Sequence, residues 1–177
     1  MRDHWHDARM SDQQRTKPPQ TADERASLTG FLQYQRETLA MKCAGLTAEH
    51  LRQRAVPPSG LSLLGLVRHL AEVERSWFQV VWNGEDIRAY WPGSVYGTFA
   101  EFDVDSADPD DALTTWQMAC ARSRAIVDAA ESLDTTAQWG EDVFTLRYVL
   151  THMIEEYARH NGHADLLRER IDGATGE

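Results

Sequence analysis

Apolar residues recur every three or four positions along four long stretches of the chain, which is the spacing of an α-helix. The first stretch covers about residues 21–44, and Gly45 stands where a helix is expected to end. The second covers about residues 61–82 and follows residues 56–60, whose prolines and glycine break the preceding structure. These stretches predict the first two long helices, with a short capped turn at residues 47–54 between them.

The other two stretches predict a third and a fourth long helix. Asp108 is a suitable N-terminal cap, Pro109 fits the first helical position, and apolar spacing then continues to about Leu133. The last stretch covers about residues 145–171 and ends at Gly173. No strand-like alternation is evident between these stretches. The pattern therefore predicts an all-α protein, a bundle of four main helices.

Two segments lie outside the helical pattern. Residues 1–20 are polar and without periodicity, so we expect a disordered N-terminal tail before a single domain at residues 21–177. Residues 83–108 form a long connection between the second and third helices. A connection of this length is either a functional cover or a crossover that aromatic side chains pin to the bundle, and the pattern leaves both open. Its aromatic residues are Tyr90, Trp91, Tyr96, Phe99 and Phe102.

Composition and charge narrow the classes of function. The 177 residues suit one domain, and the formal net charge of −10 argues against a nucleic-acid partner, which needs clustered Lys and Arg. No apolar run approaches the roughly 18 residues of a membrane span, and the N-terminal residues contain no apolar signal segment. We therefore expect no membrane partner and a cytoplasmic location. Cys43 and Cys120 are too few for a disulfide framework and are expected in the core.

Polar residues at helical spacing mark the last helix: His152, Glu156, His160 and His163. Positions four apart lie on one helix face, about 6 Å apart along the axis, so Glu156 and His160 can bind one ion. Glu156 lies at the edge of the apolar stripe, where an unpaired carboxylate is costly. The second helix adds His69 at the margin of its own stripe. Two imidazoles and one carboxylate, with open positions left over, are typical of a catalytic metal site.

Simpler roles for the same side chains stay open. A histidine on an apolar face is commonly a hydrogen-bonded core residue, and Glu156 with His160 is also a common surface ion pair. His152 and His163 are about 16 Å apart along the axis, so we assign both to a supporting shell or to the pocket wall. A di-iron bundle would need carboxylates from four helices, and a zincin would need H-E-x-x-H. One mononuclear ion is therefore the favoured arrangement.

Two segments of the chain resemble a known family: PPSGLSLLGLVRHLAEVERSWF and HMIEEYARHNGHADLLRERIDG. They are similar to the DinB-like, DUF664-type four-helix bundles related to mycothiol-dependent maleylpyruvate isomerase and to bacillithiol and mycothiol S-transferases. The resemblance covers about residues 22–175 and implies one divalent metal ion bound by His69, Glu156 and His160. Many relatives have histidine at the position of Glu156. The mycothiol-dependent isomerase type has glutamate there, as this chain does. Many relatives continue with Arg-Gly-Gln after the last ligand, whereas residues 161–163 here are Asn-Gly-His.

The resemblance implies a metal-dependent transferase or isomerase that uses a low-molecular-weight thiol, such as mycothiol, and an electrophilic small molecule. The ion, with zinc favoured and nickel or iron also suitable, would hold the thiol as the nucleophilic thiolate in a pocket covered by residues 83–108. His163 is a candidate catalytic proton shuttle, since histidine ordinarily titrates near neutrality. Arg124 and Arg159 are candidates for contacts to an acidic substrate, with surface pairing as the simpler role.

Two alternatives stay open beside this expectation. One is a non-catalytic DinB-like bundle with a structural metal or polar cluster, as in a stress-related binding protein. The other is a bundle that binds no metal and whose histidines satisfy one another. The helix faces also permit self-association into a homodimer.

Overall fold

The computed structural model of the protein describes residues 15–92 and 100–176. Its described part is mostly helical, as the apolar spacing predicts. The helices are α1 (Glu24–Cys43), α2 (Ala48–Arg52), α3 (Leu63–Glu74), α4 (Pro109–Ala129) and α5 (Leu146–Asp172). The helix α3 continues without a break into a π-helical segment, Arg75–Trp82, and a single 3₁₀ turn covers Ala100–Phe102. No helix among these residues is long and apolar enough to cross a membrane.

The helix ends form where the sequence contains suitable caps. The Asp108 side chain accepts a hydrogen bond from the Asp110 amide, and Pro109 begins α4, as predicted. The Thr145 side chain accepts from the Tyr148 amide and starts α5. At the other end of α5, Gly173 has a φ of 80°, a left-handed conformation that ends the helix. The long helices therefore begin and end within a few residues of the predicted positions.

The directions of the helices follow from side-chain pairs along their length. Helix α1 runs parallel to α5, because its start, middle and end contact successive positions of α5: Glu24 with Arg147, Gln35 with Asn161, and Lys42 with Asp165. Helix α3 runs antiparallel to α5, since His69 contacts His160 and Trp77 contacts Tyr148. The groove between α3 and α5 holds the polar residues that the sequence singles out.

Helix α4 packs beside α3 and runs in the same direction. Its start lies near α2, where Arg52 donates to the Ala107 carbonyl, and its end lies near the start of α1, where Arg25 donates to the Val127 carbonyl. Parallel neighbours need a connection that returns along their full length. The described parts of this connection, residues 83–92 and 100–108, contact α3, with the Trp91 amide donating to Glu72 and Glu101 contacting His69. Tyr96 and Phe99 of this connection lie outside the described residues.

A β-hairpin that the sequence analysis does not predict precedes α5. Strand β1 (Thr136–Trp139) pairs antiparallel with β2 (Asp142–Thr145), and Ala137 lies opposite Phe144. Gly140 has a φ of 60° at the first position of the two-residue turn, a conformation that glycine adopts without strain. The expectation of no strand is wrong at this point, because strands of four residues are too short to give a readable alternation.

The core lies between the long helices. Leu32, Leu66, Leu70, Met153 and Leu167 are among its fully buried side chains. Both cysteines are free thiols and are buried, as expected. Residues 1–14 of the predicted tail lie outside the described residues, while Arg15 donates a hydrogen bond to Thr38 of α1. The boundary between tail and domain stays a prediction.

Candidate metal centre

The structure brings together the three residues that the sequence selects as metal ligands. We call His69, Glu156 and His160 the His–Glu cluster. One potential ligand atom from each residue lies within 4.8 Å of the others. The His160 Nε2 atom is 3.4 Å from a Glu156 carboxylate oxygen, and the His69 and His160 rings are 4.7 Å apart at their centroids. The side chains are 12–20% exposed, so the cluster lines an accessible groove rather than a closed core.

The long connection orients the histidine of α3. A Glu101 carboxylate oxygen lies 3.2 Å from the His69 Nδ1 atom, and Phe102 stacks on the imidazole with centroids 5.1 Å apart. Glu101 is buried in the 3₁₀ turn. Phe102 can approach because position 65 is glycine, whose missing Cβ would lie 3.0 Å from the Phe102 ring. This part of the connection therefore contacts the candidate site directly.

His163 contacts the cluster through His160. The two Nδ1 atoms are 3.4 Å apart, so one of them donates a hydrogen bond to the other. This contact leaves the Nε2 atom of His160 directed at Glu156. Burial, helped by the nearby charges of His69, His163 and Arg159, lowers the pKa of His160 to about 4. His160 is therefore neutral at physiological pH, the form in which imidazole binds metal.

His152 lies on the other side of Glu156. Its Nε2 atom is 3.7 Å from Glu156 and its Nδ1 atom is 3.8 Å from Glu155. These three residues also have potential ligand atoms within 4.8 Å, but Glu155 is half exposed and already paired with Arg159. His152 and His163 thus flank the His–Glu cluster from opposite sides, as the helical spacing requires.

The family of the chain can be read from its sequence over most of its length. A family model described as mycothiol-S-transferase matches residues 27–173. The chain belongs to this family. The match confirms the resemblance to mycothiol-related proteins, and its range includes the whole His–Glu cluster. Comparison with curated proteins and with solved structures found no match.

This family member contains a buried charged network that the sequence analysis does not predict. Arg36 of α1 forms two hydrogen bonds with Glu74 at the end of α3, at 2.7 and 2.8 Å. The Tyr157 hydroxyl donates to the same carboxylate at 2.8 Å and accepts from the Trp116 indole at 2.8 Å. The network joins all four long helices and fixes Tyr157, the residue next to Glu156. The signal in the sequence is Glu74, a charge between Leu70 and Phe78 on an otherwise apolar stripe.

The network keeps Glu74 ionised inside the core. Burial raises the pKa of this carboxyl, but the charge of Arg36 and the hydrogen bonds of Arg36, Ser123 and Tyr157 together lower it more, so the net pKa lies below the ordinary value. Burial and the charge of Glu74 raise the pKa of the Cys120 thiol, which contacts the same carboxylate. Burial also raises the pKa of Cys43 to about 12. Neither thiol of the chain is therefore a nucleophile at neutral pH.

The remaining candidates form surface contacts with other side chains. Arg124 hydrogen-bonds Gln33 on the surface, and Arg159 pairs with Glu155, in agreement with the simpler role for both. A cavity of about 640 Å³ lies between the end of α1, α2 and the start of α4, with Trp116 in its wall. No member of the cluster lines this cavity.

Proposed function

We propose that the protein is a metal-dependent S-transferase that uses mycothiol, and that His69, Glu156 and His160 bind its single divalent ion. The observation that carries the proposal is the meeting of these side chains in an accessible groove, with ligand atoms within 4.8 Å. Membership of the mycothiol-S-transferase family supports mycothiol as the thiol co-substrate. The family match and the geometry of the groove support the proposal independently of each other.

The residues of the cluster fit a divalent ion. Ligand atoms about 2.1 Å from an ion at tetrahedral angles are about 3.4 Å apart. The separation between His160 and Glu156 is 3.4 Å, and the ligand atoms of all three residues lie within 4.8 Å of one another. Two nitrogens and one oxygen suit zinc, with nickel or iron as further candidates. Because three protein ligands leave coordination positions open, a thiol has room to bind.

The side chains around the cluster have distinct tasks in this proposal. A bound divalent ion with open positions lowers the pKa of a thiol and holds it as the thiolate. Glu101 accepts a hydrogen bond from the His69 Nδ1 atom, which leaves the unprotonated Nε2 atom of that ring as the nitrogen that can bind the ion. His163 orients His160 in the same manner. The proton-shuttle role of His163 stays a prediction, and its contact with His160 supports the orienting role.

The proposed reaction transfers a carbon group to sulfur. The thiol releases its proton to solvent or a base, and the sulfur forms a bond to an electrophilic carbon. The bond from that carbon to the leaving group breaks, and the leaving group departs with the electron pair. No oxidant or reductant is needed. A thiolate nucleophile also suits a thiol-dependent isomerisation. In that reaction the thiol adds to the substrate and is released unchanged after the rearrangement.

The proposal extends to the whole molecule. We infer that the four long helices form a DinB-like bundle within residues 21–177, that residues 1–20 are a disordered tail, and that the protein is cytoplasmic. A homodimer remains compatible with the exposed helix faces. A non-catalytic bundle with a structural metal or polar cluster is the competing function, because the buried pair of Arg36 and Glu74 is an example of polar groups that this fold holds for structural purposes.

Metal analysis of ligand variants tests the proposal. Protein purified without a His-tag should bind one ion per chain after dialysis against zinc, nickel or iron. His69→Ala and Glu156→Ala should each weaken the affinity by at least about tenfold while helical content stays unchanged. The controls are His50→Ala on α2 and Glu169→Ala on an exposed turn of α5.

Activity then separates the two functions. The metal-loaded protein should consume mycothiol in the presence of an alkyl halide, and EDTA should abolish the reaction. Stoichiometric metal that raises the melting temperature, without thiol consumption in any electrophile screen, would establish the structural role instead. Wild-type protein that binds none of the three metals would refute the metal-dependent transferase and a structural metal, and would leave the polar cluster.

A further inference from the structure

Four aromatic rings form a continuous patch in the groove between α3 and α5. We call Trp77, Phe144, Tyr148 and His152 the ring wall. Trp77 lies at its centre, with centroids 5.5 Å from Phe144, 6.1 Å from Tyr148 and 4.3 Å from His152. Tyr148 is 5.4 Å from Phe144 and stacks parallel to His152 at an interplanar angle of 8°. Such offset and edge-to-face geometries are the favourable ones for aromatic rings.

Three separate elements are needed to assemble the ring wall. The π-helical segment contributes Trp77, strand β2 contributes Phe144, and the first turns of α5 contribute the other two rings. In a regular α-helix, Trp77 would lie about 80° around the axis from His69. Trp77 lies in the π-helical segment Arg75–Trp82, whose i→i+5 hydrogen bonds depart from this regular spacing. Interruptions of this kind are frequent at functional sites.

The ring wall is accessible to a small molecule. Tyr148 is 51% exposed, and Trp77, Phe144 and His152 are only partly buried. Exposing apolar surface to water costs about 25 cal/mol of free energy per Å². A ligand that covers the ring wall therefore gains binding free energy. Clusters of partly exposed aromatic side chains beside convergent polar groups are typical of ligand sites.

The ring wall continues directly into the His–Glu cluster. The His152 Nε2 atom lies 3.7 Å from one oxygen of Glu156, while the other oxygen faces His160 at 3.4 Å. A molecule lying on Trp77 and Tyr148 is thus a little over two helical turns, about 12 Å, from His69 and Glu156. Nothing in the proposed function assigns this part of the groove.

We propose that the ring wall binds the electrophilic substrate and selects one with a planar aromatic ring that carries no negative charge. This inference rests on the proposed function, because it places the electrophile beside the thiol that the cluster would hold. Ring faces favour planar partners by stacking. Glu155 and Glu156 are the acidic side chains beside His152, and their negative charge disfavours an anionic ring. An arylmethyl halide represents this class: sulfur bonds to its methylene carbon, the carbon–halogen bond breaks, and halide leaves with the electron pair.

A binding experiment tests the ring wall independently of the metal. The probes are 2-naphthylmethanol, which is planar and unreactive, and its saturated decalin analogue. Titration followed by ligand-observed NMR, with EDTA present, should show tighter binding of the naphthyl probe. Tyr148→Ala and Tyr148→Leu should each weaken that binding by about 2- to 12-fold, the range expected for one aromatic contact. Phe31→Ala, which removes an equally exposed ring from α1, should leave binding unchanged.

The results separate the inference from the proposed function. Equal affinity for the two probes, or Tyr148 variants that bind the naphthyl probe like wild type, would overturn the inference. Metal-loaded protein that transfers mycothiol to 2-(bromomethyl)naphthalene with a kcat/KM unchanged in Tyr148→Leu would overturn it as well, with the transferase function intact. Naphthyl binding that depends on Tyr148 in a protein that transfers no thiol would instead support the site and reject the transferase.

Discussion

Glu101 places a carboxylate oxygen 3.2 Å from the Nδ1 atom of His69, although 32 positions separate the two residues in the chain. The contact joins the connection between α3 and α4 to the candidate metal centre. A carboxylate at this nitrogen fixes the ring orientation and raises the basicity of the other nitrogen. The connection is therefore part of the site as well as a crossover between parallel helices.

Glu101→Gln should weaken metal binding by about tenfold, because removal of a carboxylate partner of a ligating histidine typically costs 10- to 100-fold in affinity. The amide keeps the shape of the side chain but lacks its charge. Competition with a fluorescent chelator measures the affinity. The matched control is Asp105→Asn in the same connection, an exposed residue that pairs with Arg54. Equal losses in both variants would contradict a specific role for Glu101.

Arg36→Met should destabilise the protein by about 3–5 kcal/mol, since it leaves the fully buried Glu74 without its partner. The double variant Arg36→Met, Glu74→Leu should recover much of this loss because no buried charge remains. Urea unfolding measures both. Arg159→Met breaks the exposed pair with Glu155 and should cost at most about 1 kcal/mol. A double variant no more stable than Arg36→Met alone would argue against the unpaired charge as the cause.

Both thiols should resist alkylation in the folded protein. Burial removes Cys43 and Cys120 from solvent and raises their thiol pKa values, to about 12 for Cys43. We expect iodoacetamide at pH 8 to label neither residue within the time that fully labels both in urea, with mass spectrometry as the measurement. Rapid labelling of native protein at one cysteine would show a reactive protein thiol and would weaken the case for mycothiol as the sole nucleophile.

The sequence predicts best which side chains share one face of a regular helix. Glu156 and His160 are four positions apart, so any uninterrupted helix places them on one face, and the structure does so. The approach of His69 is harder to predict, because it depends on the packing of α3 against α5 rather than on local spacing. The family resemblance supplies the missing information about packing.

Features that depend on irregular backbone are not predictable in the same way. Glu101 lies in a connection without periodicity, so no pattern indicates that its carboxylate reaches His69. The π-helical segment Arg75–Trp82 interrupts the regular helical spacing, and the apolar pattern of the sequence does not reveal that interruption. Glu74 is in principle detectable as a charge on an apolar stripe, but its partner Arg36 comes from another helix and cannot be identified by spacing.

The last prediction concerns the pH dependence of stability and depends on His160. Its folded-state pKa is lowered to about 4, whereas an unfolded histidine has the ordinary value of 6.5. Between these values the unfolded chain takes up a proton that the folded protein does not bind. Stability is therefore fully present above about pH 6.5 and is lost as the pH falls toward 4, with up to one proton taken up on unfolding.

Comparison with a variant isolates this contribution. With EDTA present to exclude metal, wild type and His160→Gln are unfolded in urea at several pH values between 7 and 4.5. Groups that titrate in both proteins contribute about equally, so their effects largely cancel in the difference. The wild-type free energy of unfolding should fall more steeply with decreasing pH than that of the variant. Parallel curves would mean that His160 is not held neutral by burial, and the cluster would then lose its ready-made neutral ligand.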